Sequence, residues 1–261
     1  VELMLRCLRE GKHAASGALK VLDAALASDE DGAVAARFVD ARGLKVLFPA
    51  LMGKGAAKPP KIDGKKKKKR AKRGVEDQRR ADERVLGVVA SACFYAADTA
   101  APRDAHRRLV AKFAEPDKIP RLFAQIRAFD ADVRRARADD LDDEDLRHAR
   151  LLRAGGHGLR LATTAVAFAV VHSPSARRAF LELLRRENPG LLDRLASVLA
   201  DFASELLEDD DPALHQPSSS SSSTARQLAR ARAGHLRNWA AALAALEEDA
   251  ATGDDAAAAA R

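Results

Sequence analysis

The stretch RGLKVLFPALMG, Arg42 to Gly53, decides how this chain is read. A glycine sits at a turn, and the apolar residues after it recur at the spacing of a helix that faces a neighbouring element. PDKIPRLFAQI, Pro116 to Ile126, opens another helix in the same manner. Working outward, Leu19, Leu22 and Leu26 form one helical face, and Leu195, Val198, Leu199, Phe202 and Leu206 form a clearer one. The punctuation agrees. Gly11, Gly32 and Gly43 fall between periodic segments. Ser173 before Pro174 reads as an N-cap with proline in the first turn. Asn188-Pro189-Gly190 separates two amphipathic helices. No sustained period-2 strand pattern occurs, so the expected class is all-α.

Many helices with short breaks fit a bundle or an α-solenoid. Armadillo and HEAT solenoids repeat every ~40 residues or so, and the Arg42–Gly53 segment has the look of an armadillo third helix. The expected architecture is therefore an α-solenoid of armadillo/HEAT-like repeats. Composition agrees: 47% of the 261 residues are hydrophobic but only 4% are aromatic, so alanine and leucine must do most of the packing. The two cysteines, Cys7 and Cys93, carry no metal or disulfide pattern. The longest apolar run, Leu161 to Val171, suits a buried helix rather than a membrane span. The chain starts inside what reads as a helix, and a fragment lacking earlier repeats is expected.

The net charge of +7 suggests a nucleic-acid binder until it is located. Eight of the nine positions from Lys65 to Arg73 are basic, and without them the chain carries −1. A surface built to hold a duplex spreads its cations over one face. This run is concentrated and has no interleaved aromatic for base stacking, which weighs against direct nucleic-acid contact. Lys65, Lys66, Lys67, Lys68, Lys69, Arg70, Lys72 and Arg73 read best as a nuclear localisation signal for an import receptor.

The expected organisation runs as follows: helical repeats over 1–53, a basic disordered loop over 54–75, and further repeats and helices over 76–208. A Ser-rich linker over 209–224, an amphipathic helix over 225–249 carrying the single Trp239, and a disordered tail over 250–261 complete it. An acidic linker interrupts the third segment near 139–145. Its carboxylates, Asp139, Asp140, Asp142, Asp143, Glu144 and Asp145, are candidates to dock basic peptides, with Asp40, Asp104 and Asp130 as further candidates. No catalytic constellation can be assembled. The seven histidines lack ligand spacing, and no phosphate-loop lysine, nucleophile elbow or HExxH is present, so no enzyme, metal or cofactor is expected. AGGHGLR, Ala154 to Arg160, reads as a hinge or a close helix contact rather than a phosphate cradle, because no strand precedes it.

VELMLRCLRE (Val1 to Glu10), SGALKVLDAAL (Ser16 to Leu26), RFVDARGLKVLFPALMGK (Arg37 to Lys54) and RLLRAGGHGLRLATTAVAFAV (Arg150 to Val170) together resemble the beta-catenin-like family of nuclear armadillo-repeat proteins. The similarity runs from Val1 to about Leu207. It implies a non-catalytic scaffold of the spliceosome, associated with the Prp-nineteen complex in pre-mRNA splicing. It also implies binding of basic, nuclear-localisation-type segments of splicing factors, and homodimerisation through the C-terminal region. A nuclear adaptor unrelated to splicing, or a nucleic-acid-binding protein acting through the basic run, is the alternative.

Overall fold

A computed structural model describes the backbone of residues 1–11, 14–54, 67–98, 103–137, 143–186, 190–208 and 221–259, with side chains except at 67–75, 144–145, 221–225 and 247–259. All regular structure among the described residues is helical. The chain divides into two compact units, Val1–Lys112 and Phe113–Arg261.

The first unit holds α1 (Glu2–Glu10), α2 (Ala15–Ala27), α3 (Ala33–Asp40), α4 (Leu44–Leu51), α5 (Lys67–Ala97) and all but the last residue of α6 (Arg103–Phe113). Leu5 and Leu8 of α1, the Leu19-Leu22-Leu26 stripe of α2, and Leu47, Phe48 and Leu51 of α4 are all buried. The C-terminal half of α5, from Val85 through Ala96, packs along α2, α3 and α4. Gly43 stands beside the Phe38 ring so closely that any Cβ there would overlap it, which is why a glycine opens α4. Gly32 takes φ +73° ahead of α3, a left-handed conformation that glycine adopts without penalty.

The loop expected over 54–75 is helical from Lys67 onward, because α5 extends through the basic run. Lysine, arginine and alanine are good helix formers, and a nucleus already stabilised by the buried Val85–Ala96 segment propagates cheaply in the N-terminal direction. The same segment ties α5 into the first unit, so the basic run does not separate two domains.

The second unit holds α7 (Lys118–Arg137), α8 (Glu144–Leu151), a π-helical turn (Leu152–Gly156), α9 (His157–His172), α10 (Pro174–Leu184), α11 (Leu191–Glu208) and α12 (Ser221–Ala259). Helix α9 is its axis, buried on every side from Leu161 to Val170. Residues Leu146–His172 would satisfy a membrane-span test of length and hydropathy, but the burial of α9 identifies it as a core helix. Phe168 meets Phe113 and Trp239 at ring-centroid distances of 6.0 and 5.9 Å. Trp239 thus anchors α12 within its own chain, with Leu236, Leu243 and Leu246 buried beside it. Ser173 caps α10 as its sequence predicts, its Oγ accepting from Ala176 N at 3.3 Å.

AGGHGLR combines both structural roles expected of it. Gly155 adopts φ 111° inside the π-turn, and a Cβ on Gly158 would lie 2.6 Å from Phe129 Cζ. The backbone of α12 stays helical through Ala259, beyond the expected end of the helix, since alanine has the highest helix propensity.

Candidate protein-binding surfaces

The sequence-chosen carboxylates meet different fates. Asp139, Asp140 and Asp142 lie outside the described residues. Asp143 is the N-cap of α8, its Oδ1 accepting from Leu146 N at 3.0 Å, so this acid closes its own helix. The backbone of Glu144 and Asp145 forms the first turn of α8. Asp130 is buried and held from two sides: its Oδ2 lies 3.2 Å from Arg134 Nε and 3.3 Å from Arg194 Nη2. It ties α7 to α11 and is not open to a peptide. Asp104 pairs with Arg107 within α6. Of the basic run, Lys65 and Lys66 lie outside the described residues, whereas Lys67, Lys68, Lys69, Arg70, Lys72 and Arg73 sit on the first turns of α5.

Asp40 acquires a neighbour that the sequence did not point to. It is exposed at the end of α3, and with Asp29 and Asp98 it acts on the Tyr95 phenol near the end of α5. Burial raises the Tyr95 pKa first, and the three carboxylates raise it further. Gly32 approaches the ring, a Cβ there lying 3.2 Å from Tyr95 Cδ2. Asp29 is fixed in place because it also caps α3, accepting from Val34 N at 3.2 Å and Ala35 N at 2.7 Å. The result is an aromatic face set in a negative field, chemistry suited to a lysine or arginine side chain. Tyr95 is the one tyrosine of the chain. That singularity and Asp98 three residues on were the sequence signals, since Asp29 and Asp40 belong to a distant segment.

Two further carboxylates gather where α2 meets α5. Asp23 is pushed up to about 6 by burial, with Arg84 opposing the shift, and Glu83 is raised by burial against Arg79, Arg80 and Arg84. A Cβ on Gly87 would overlap Asp23 Oδ1, so this glycine makes room for the acid.

In the second unit, Arg160 grips Glu205 with both nitrogens, Nη1 donating to Oε2 at 2.6 Å and Nη2 to Oε1, and its guanidinium carbon lies 5.5 Å from the Phe202 ring centroid. His157 is held below the usual imidazole range by burial and then by Arg160. No group of three histidine, cysteine, aspartate or glutamate side chains is placed to hold a metal among the described residues.

The family model for catenin-beta-like, Arm-motif-containing nuclear proteins matches residues 1–200. The chain belongs to the catenin-beta-like family. No match is found among curated proteins. Membership makes the chain a nuclear, all-α protein of armadillo type, a class that works as a scaffold. The match takes in all of the first unit and most of α11, whereas α12 lies beyond it.

Proposed function

We propose that this catenin-beta-like chain is a non-catalytic scaffold of the spliceosome, associated with the Prp-nineteen complex, that binds basic segments of splicing factors in pre-mRNA splicing. Family membership supplies the nuclear armadillo setting. The observation that carries the binding chemistry is Tyr95 flanked by Asp29, Asp40 and Asp98. An extended basic peptide crossing this surface places one cation over the ring and others against Asp40 and Asp98, both exposed. The basic run on α5 is the import signal in this reading. From Lys67 onward its backbone is helical, so an import receptor that needs an extended segment must first unwind it.

Titration with a nuclear-localisation-type peptide, read by Tyr95 fluorescence, tests the surface. The double variant Asp40→Asn, Asp98→Asn should lose about twofold to thirtyfold in affinity, two exposed ion pairs contributing roughly 0.2–1 kcal/mol each. Unchanged affinity would remove Tyr95 from the site. A nuclease-treated pull-down from nuclear extract tests the assembly: splicing proteins should be recovered by the chain with or without Lys65–Arg73. Recovery that vanishes with the basic run or with nuclease would favour nucleic-acid contact instead.

A further inference from the structure

We propose that the groove between the start of α7 and α10 docks an acidic segment of a partner protein, with one apolar side chain of that segment filling it. The groove belongs wholly to the second unit and encloses about 320 Å³, the small end of the ~300–1,000 Å³ range of binding pockets. That volume suits one or two side chains rather than a cofactor. Phe113, Ile119 and Ala176 form a fully buried apolar floor. Pro116 and Pro120 form one exposed lip, rigid and without backbone N–H groups to satisfy. Ala179 and Leu183 of α10 form the other.

The charge around the groove selects the occupant. Arg178, Arg185 and Arg186 are exposed on and just after α10, with no carboxylate within 4 Å among the described residues, and Arg186 lines the groove itself. Against them α10 offers one carboxylate, Glu182. On the opposite wall Glu115 is already committed to Lys118 Nζ at 3.0 Å, which Asp117 also holds at 2.6 Å. Burial pulls the Lys118 pKa down, but the two carboxylates outweigh it and hold the ammonium charged. Among the described residues the uncommitted charge is therefore positive. A lysine-rich segment of the kind suited to Tyr95 would meet three guanidiniums here, so this is a second surface of opposite preference.

The experiment uses the full chain and a fluorescein-labelled peptide of aspartates and glutamates around a single leucine, read by anisotropy. Two control peptides replace the leucine by serine or every acid by lysine. The leucine peptide should bind at least about tenfold more tightly than the serine peptide, as expected for burying one leucine side chain, and far more tightly than the lysine peptide. Ala179→Trp should fill the groove and abolish the leucine advantage. Arg186→Glu, an exposed change, should weaken binding severalfold and decides the matter if Ala179→Trp does not fold. The proposal is overturned if the acidic peptide fails to bind or the serine or lysine peptide binds as well. Unchanged affinity in folded Ala179→Trp or in Arg186→Glu overturns it equally.

Discussion

Asp23 on α2 and Asp130 on α7 each turn a carboxylate toward a neighbouring helix, and the two units treat that charge in different ways. Asp130 is 6% exposed and receives two guanidiniums, one from its own helix and one from α11. Asp23 is less deeply placed, and what faces it is Gly87, a residue with no side chain, with Arg84 acting from farther along α5. One junction compensates its charge with partners. The other makes space for the carboxylate and leaves it raised to about 6, poised to take up a proton. A paired acid fixes how α7 and α11 dock, because only one register brings Arg194 to Asp130. An acid facing a glycine sets only how closely α2 and α5 approach.

Removing each carboxylate should separate the two cases most strongly. Asp130→Ala leaves Arg194 beside an apolar interface without its partner and should cost about 2 kcal/mol, below the ~3–5 kcal/mol of a fully buried pair because both arginines are partly exposed. Trp239, the single tryptophan, sits in the second unit and reports the loss as a lower urea midpoint. An unchanged midpoint would mean the pair contributes register but no stability.

Adding a methyl group at the two glycine contacts is the next test. Gly158→Ala drives a Cβ into the Phe129 ring, which is buried and cannot swing away, and should cost about 1–3 kcal/mol. Gly87→Ala meets the tip of a short polar side chain instead. The better helix propensity of alanine offsets part of the overlap, so the cost should be about 1 kcal/mol or less. The combination Gly87→Ala with Asp23→Ala should recover that loss, measured by circular dichroism in urea. If the double variant is no better than Gly87→Ala alone, the carboxylate is not what Gly87 accommodates.

These contacts also mark where the sequence stops being informative. Helical periodicity was legible at Leu19-Leu22-Leu26, all buried, and from Leu195 to Leu206, where Leu195 and Leu199 are buried and Val198, Phe202 and Leu206 half-buried, because an inward face repeats every turn. Ser173-Pro174 was legible because a cap is a local hydrogen bond. Helix α5 was missed across the basic run because charge density suggested a linker, while helix propensity and the anchored apolar half favoured continuation. The Tyr95 surface was only partly legible: Asp98 is three residues on, but Asp29 and Asp40 reach the ring only once α3 and α5 pack. Asp143 was chosen for its charge, yet its position three residues before Leu146 N makes it a cap. The acidic linker expected over 139–145 is therefore already helical from Glu144 onward, and it gave no demonstrated site.

The finest test of the comparison is Asp23→Asn, which keeps the shape and deletes the charge. A carboxyl group whose pKa is about 6 in the fold and 3.8 as the ordinary value binds its proton more tightly when folded. Its contribution is most favourable below about 3.8 and is lost as pH rises through about 6, where the charged form must sit partly desolvated between α2 and α5. Asparagine never carries that charge. Asp23→Asn should therefore be more stable than the wild type above about 6, by roughly 1 kcal/mol or less after allowing for solvent screening at a half-buried site. The advantage should shrink to nothing as pH falls toward 3.8. Tyr95 lies in the first unit and Trp239 in the second, so the effect must appear in the tyrosine signal. A variant less stable than the wild type above about 6 would show that Arg84 outweighs burial at Asp23, and that both units stabilise their carboxylates by pairing after all.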